Sequence, residues 1–444
     1  MARNHHQEVL DGNIGFFWPI DANGQRLEAD DQRGYIHLKE DGRIRLETLD
    51  ENPILSFARQ REDRVDRPDA LLGSTASSSV LVLNLFGSRS TVNVGGYRAS
   101  VRKYSARTLI SRVDLENLSS ICATGIEGEF FEVERWAQFE PSWEALKRDE
   151  SGRLRRFSIE LEPIIEQDSE IDSNRSLYLS SKWKVTGPSS RRTIYSPVVV
   201  GCRSNFPVPF SDLLNPVLAV QNLLSMAYGG FVSAAAGSAF LDCRTEPRAS
   251  PFWTTPLMHT PAAVQSPRSM THVPQFSLDM LGGVSGLANW VKLTDEHSRA
   301  VKPIVNQYRF GGYSPELKLM EVAAGIEYWV NASRRNCQWA RVAPKSLALA
   351  EHVGHPFKSW IRYAEKWADI FWRRYGQLKH EPNYEPDIYE ISVLADVGVH
   401  LLTAELLNFI SDANKDPASR YFESPQMVSL KERIQSLLGG PGDD

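Results

Sequence analysis

The sequence predicts an α+β multidomain protein: a mainly antiparallel β domain first, built as a sandwich or partly closed barrel, and an all-α helical bundle after it. Two patterns carry this expectation. Up to about Cys243 the chain runs in short stretches that alternate apolar and polar residues, the period of a half-buried strand. From Leu287 onward apolar residues recur at three- and four-residue steps, the period of a helix. Length agrees, since 444 residues suffice for two cores at roughly 100–200 residues per domain.

The elements follow in order. Tyr35-Ile36-His37-Leu38-Lys39 alternates, Asp41-Gly42 turns the chain, and Arg43-Ile44-Arg45-Leu46-Glu47 alternates back, which reads as a hairpin with one buried face. Val80 to Leu85 is an apolar strand; Tyr97 to Tyr104 and Arg155 to Leu161 alternate again, and Leu177 to Val185 alternates around Trp183. One helix interrupts, from Ser211-Asp212 to Gly229-Gly230, with a capping side chain at its start and glycine at its end. Phe231 to Cys243 follows as a weaker strand. The organisation expected is a β-rich part over residues 1–250, a proline-rich linker over 251–286 and a bundle over 287–444.

In the bundle, Leu287 to Tyr308 is helical with Pro303 as the kink. Ser314-Pro315-Glu316 is a strong helix start: a cap, proline at the first helical position, then an acid. Lys345 to His352 is a short helix, Pro356 to Tyr375 a long amphipathic one, Ile388 to Ile410 the core helix, and Met427 to Leu438 the last.

Composition excludes several classes. Hydrophobic residues at 42% and charged residues at 24% rule out a wholly disordered chain. A net charge of -5 argues against a blanket nucleic-acid coat and leaves room for a local basic patch. No unbroken apolar run reaches the roughly 18 residues that span a bilayer, and Met1 to Glu8 lacks the apolar core of a secretory signal. Cys122, Cys202, Cys243 and Cys337 show no CxxC spacing, so reduced thiols are expected rather than zinc or a redox pair. Together these predict a cytoplasmic protein with no membrane partner.

There is no Walker A loop, GxGxxG, GxSxG or HExxH. His352 and His355 stand three apart, but Gly354 and Pro356 break the helix just there and no third ligand is evident, so no metal or other cofactor is expected. His400, inside the apolar helix, reads as a satisfied core histidine. The informative stretch is Trp372-Arg373-Arg374-Tyr375-Gly376-Gln377-Leu378-Lys379-His380. A histidine can move a proton near neutral pH, and an arginine fork can stabilise charge on phosphorus. On an unbroken helix Arg373 and His380 share a face about 10 Å apart, whereas Arg374 points roughly a third of a turn away. If Gly376 ends the helix, Arg374 can instead approach His380 through the turn; both arginines are candidates.

At these residues the chain resembles the HEPN domains, in particular the Apea-like HEPN group, whose signature is arginine, four to six residues, then histidine at the end of a long helix. Arg374 with five intervening residues or Arg373 with six fits it. Glu327, in Gly325-Ile326-Glu327-Tyr328-Trp329, resembles an acidic position on an earlier helix of these bundles. The N-terminal part resembles the β-rich domain that precedes HEPN in the ApeA architecture, through Gly15-Phe16-Phe17-Trp18, the strands around Asp41-Gly42, Leu72-Gly73, Phe130-Phe131, Trp136 and the helix Leu213 to Tyr228.

The resemblance implies a metal-independent endoribonuclease of bacterial anti-phage defence, working as a homodimer through its helical part. It implies His380 as acid or base, Arg373 or Arg374 as phosphate stabiliser, and Glu327 as a supporting group. Lys366, Lys379 and Tyr375 are expected to hold RNA, and the β-rich part to meet an unknown phage-derived trigger. The rival expectation is a non-catalytic RNA-binding or dimerisation module.

Overall fold

The computed structural model describes residues 5–439 apart from 28–30, 51–67, 95–96, 140–141, 162–166, 189–190, 244–247, 262–272, 312–313, 334–344 and 413. Cys337 and much of the proline-rich stretch lie outside the described residues. The helices in chain order are α1 (His5–Leu10), α2 (Phe131–Ala137), α3 (Phe210–Tyr228), α4 (Thr255–Met258), α5 (Val284–Glu296), α6 (Ser298–Phe310), α7 (Pro315–Ser333), α8 (Lys345–Val353), α9 (His355–Ile361), α10 (Ala364–His380), α11 (Ile388–Ile410), α12 (Pro417–Phe422) and α13 (Gln426–Gly439). The chain forms two compact units, each assembled from three stretches: 1–131, 172–218 and 233–260 in the first, and 132–171, 219–232 and 261–444 in the second.

The first unit is an antiparallel sheet. Its hydrogen-bonded series runs from Arg175–Ser181 through Val198–Val208, Leu118–Glu129, Ala236–Cys243, Ala249–Thr254, Thr108–Ser111, Ser79–Leu83, Ala70–Thr75, Asn13–Ile20, Gln32–Leu38, Ile44–Asp50 and Tyr97–Ala106 to Phe86–Val94. The Asp41-Gly42 turn sets the register of the expected hairpin. Gly42 sits at φ 74°, a left-handed conformation open to glycine, and the Asp41 carboxylate accepts from the Arg43 amide at 3.0 Å. Ile36 then pairs with Leu46 and Leu38 with Ile44, placing Ile36, Ile44 and Leu46 in a core with Phe17, Leu71, Val80 and Leu109.

The structure departs from the sequence expectation at three places here. Leu177 to Val185 is not one strand: Arg175–Ser181 and Lys184–Thr186 belong to different sheets, and Trp183 between them is 57% exposed. The proline-rich stretch begins inside the sheet, because Pro251 pairs with Ser238. Along the first 260 residues the short helices α1, α2 and α4 join the expected α3; at six, seven and four residues they span too few turns to show a periodic stripe.

In the second unit, α11 is the central helix of the bundle: it is buried over most of its surface from Ile391 to Ile410, with Ser392, Asp396 and His400 half-buried along one face. It is long and apolar enough to cross a membrane by length and composition, and 78% of that window is buried in the structure. Asp387 caps it by accepting from the Tyr389 and Glu390 amides at 2.9 and 3.2 Å. Gly398 allows close approach: a Cβ there would meet Phe371 of α10 and Val322 of α7 at 2.9 Å. Two expected helices are each divided. The stretch Leu287 to Tyr308 breaks at His297, not at Pro303, which lies inside α6. The stretch Pro356 to Tyr375 breaks at Arg362, whose φ is 69°, and α10 then continues past Tyr375 to His380. The short helix α12 carries too few apolar repeats to stand out in the sequence.

Candidate functional site

The last two turns of α10 carry the expected pair. Ala364, Trp367, Ala368, Phe371 and Tyr375 form the buried stripe of this helix, which leaves Arg373, Lys379 and His380 exposed. The helix is not ended by Gly376; it runs unbroken to His380, with the Glu381 amide donating to the Gln377 carbonyl. Arg374 therefore does not turn toward His380. Seven residues at about 100° each return Arg373 to nearly the azimuth of His380, about 10 Å along the axis.

Neighbours separate the two arginines further. The Arg374 guanidinium donates to Glu390 through Nε at 3.0 Å and Nη2 at 3.2 Å, and to Gln377 Oε1 at 2.8 Å, and it lies 5.8 Å from the Tyr384 ring. Burial works against its charge, yet the Glu390 hydrogen bonds and carboxylate charge prevail and hold its pKa above the usual arginine value. This fork ties the end of α10 to the start of α11, and its charge is neutralised. Arg373 has no hydrogen bond or ion pair among the described residues, so its guanidinium is available to an anion.

Around this face, the Lys379 ammonium donates to the Tyr375 hydroxyl at 3.3 Å and lies 5.2 Å from that ring. That hydrogen bond, with the nearby Tyr375 and Glu327 charges, raises the Lys379 pKa. Glu327, half-buried on α7, is the weakest of these influences on Lys379, and the direct contact is between Tyr375 and Lys379. Tyr375 is itself only 7% exposed, so its ring packs inside, and Lys379 lies over it. Lys366 does not join them. Its ammonium donates to the Leu438 carbonyl at the end of α13, about two helical turns from Arg373.

Two histidines outside this pair have partners of their own. Gly354, at φ 74°, separates α8 from α9, and His352 is bound through Nδ1 to Glu405 Oε2 at 2.7 Å. Glu405 is a buried carboxylate on α11, and its other oxygen accepts from Trp329 Nε1 at 3.0 Å. No sequence motif marks Glu405; its one signal is that it is a lone acid in the apolar run Leu401 to Leu407. Glu390 carries no motif either, and its signal is an acid in the first turn of α11, just after the cap. His400 Nδ1 meets the Tyr421 hydroxyl at 2.6 Å, and burial pushes its pKa down to about 4. Among the described residues no group of three His, Cys, Asp or Glu side chains converges as metal ligands would. A cleft lined by Met280, Lys415, Asp416, Ser419 and Arg420 contains none of the α10 residues.

Chemically, an exposed guanidinium and an exposed imidazole on one helix face, beside an ammonium, make a small cationic surface that can hold a phosphodiester and exchange a proton. Comparison with protein-family models matches residues 12–290 to ApeA N-terminal domain 1. No curated protein and no solved structure matches the chain.

Proposed function

The chain belongs to the family defined by ApeA N-terminal domain 1, and from that premise we propose that it is a bacterial anti-phage defence protein whose helical part is a metal-independent HEPN endoribonuclease. The observation that carries the reading is the shared, exposed face of Arg373 and His380, with Arg374 committed to Glu390. His380 takes the proton of a ribose 2′-hydroxyl as that oxygen attacks the adjacent phosphorus. Arg373 stabilises the charge on the pentacoordinate centre. The proton is delivered to the departing 5′-oxygen, which leaves a 2′,3′-cyclic phosphate and a 5′-hydroxyl. Lys379 adds positive charge, and Glu327 acts through it. A second copy of the chain brings a second Arg373–His380 set to face the first, and the β-rich part meets the phage-derived trigger.

The test is cleavage of RNA by the full chain in EDTA. Cyclic-phosphate ends are expected, with loss of cleavage in His380→Ala and Arg373→Ala and unchanged circular dichroism. Cleavage that survives His380→Ala would remove the proposal. A second reading, an RNA-holding or dimerisation module without catalysis, is favoured by one observation: His380 has no hydrogen-bond partner to orient it among the described residues. RNA binding without cleavage, with or without phage extract, would select that reading.

A further inference from the structure

Residues 142–161 form a two-stranded sheet of their own. Among the described residues, Ser142–Arg148 pairs only with Leu154–Leu161. Such a hairpin is marginal in water, because one pair of strands cannot bury a face. This one also exposes apolar side chains: Trp143 is 43% exposed, Leu146 55%, Phe157 49% and Ile159 39%. Leu146 lies opposite Phe157, and Glu144 opposite Ile159, so Leu146, Phe157 and Ile159 share one face. On the other face Lys147 lies directly opposite Arg156. Like charges so placed destabilise a hairpin unless an anion joins them.

We propose that the Leu154–Leu161 edge pairs antiparallel with the same edge of a second copy of this chain, giving a four-stranded sheet across a two-fold axis. The register follows from geometry and charge. A two-fold axis perpendicular to a sheet keeps each face on its own side, so the axis must pass through a residue position rather than between two. Centred on Ser158, the register sets Phe157 against the partner's Ile159 and Arg156 against the partner's Glu160, each twice. The partner's Glu160 supplies the anion that the Lys147–Arg156 pair lacks, and the apolar face becomes continuous across four strands. Centred on Phe157 or on Ile159, no opposite charges meet within Leu154–Leu161. Pairing of the backbone edges adds ladder hydrogen bonds.

This inference does not rest on the nuclease reading and uses none of its residues. Its test is disulfide trapping of the full chain, which reads this edge alone whatever other contact joins two copies. Ser158→Cys should form a disulfide-linked dimer on air oxidation that the native chain does not form. In that background Arg156→Glu and Glu160→Arg, both exposed, should each slow cross-linking ~10–100-fold, since both attractive cross-strand pairs become repulsive. The double swap R156E/E160R restores the opposite charges and should restore the rate. A Ser158→Cys protein that fails to cross-link, or single swaps that leave the rate unchanged, would overturn the proposal.

Discussion

His400 makes the stability of the helical unit depend on pH in a direction that can be worked out. It sits on α11, bonded to Tyr421, with Asp396 favouring its charge and Lys318 and Arg433 opposing it. Lys318 and Arg433 reach Asp396 at 2.7 and 3.8 Å and so blunt its help. Burial dominates, and the pKa falls from 6.5 to about 4. A depressed value means that the unfolded chain binds the proton more tightly. The contribution of neutral His400 is therefore complete well above pH 6.5, shrinks as pH falls through about 4, and levels off below that. With those two values the loss is about 2 kcal/mol at pH 5 and about 3 kcal/mol at pH 4. The assay is urea unfolding of the full chain, followed by tryptophan emission at pH 8 and pH 5, for the native protein and His400→Gln. Other titrating groups are common to both and cancel. The native protein should lose about 2 kcal/mol more than the variant between the two pH values. Equal losses would refute the burial argument.

Two further perturbations separate neighbours that sequence alone treats alike. Arg374→Ala removes the fork from Glu390, whose side chain is only 14% exposed, and should cost about 1–3 kcal/mol in the urea midpoint analysis; Arg373→Ala should cost under about 0.5 kcal/mol while abolishing RNA cleavage. The reverse order of destabilisation would contradict the assignment of the two arginines. Gly398→Ala should destabilise by about 1–2 kcal/mol, because overpacking against Phe371 and Val322 outweighs the gain in helix propensity. At Gly376 a Cβ would meet nothing within 4 Å, so Gly376→Ala should raise stability by up to about 1 kcal/mol. A thermal midpoint of Gly398→Ala that rises as that of Gly376→Ala does would show the close approach at Gly398 to be unimportant.

Some of this protein is written locally and is legible in the chain of residues. The limits of α11 match the expected Ile388 to Ile410, since Asp387 and the apolar run that follows act within a few residues of one another. The Asp41-Gly42 hairpin is legible for the same reason: turn chemistry and a period of two are short-range signals. The helix breaks at His297 and Arg362 are not, because neither residue is a strong breaker and each backbone conformation is held by the packing of the helices it joins. Nor can spacing choose between Arg373 and Arg374. That choice rests on Glu390, which is 16 residues away, just as the environment of His352 rests on Glu405, 53 residues away. Periodicity tells which face of a segment is apolar, and chain order tells which candidate residues exist. Which of them stays free to meet a phosphate depends on charges and surfaces brought together across helices, and only the folded chain supplies those.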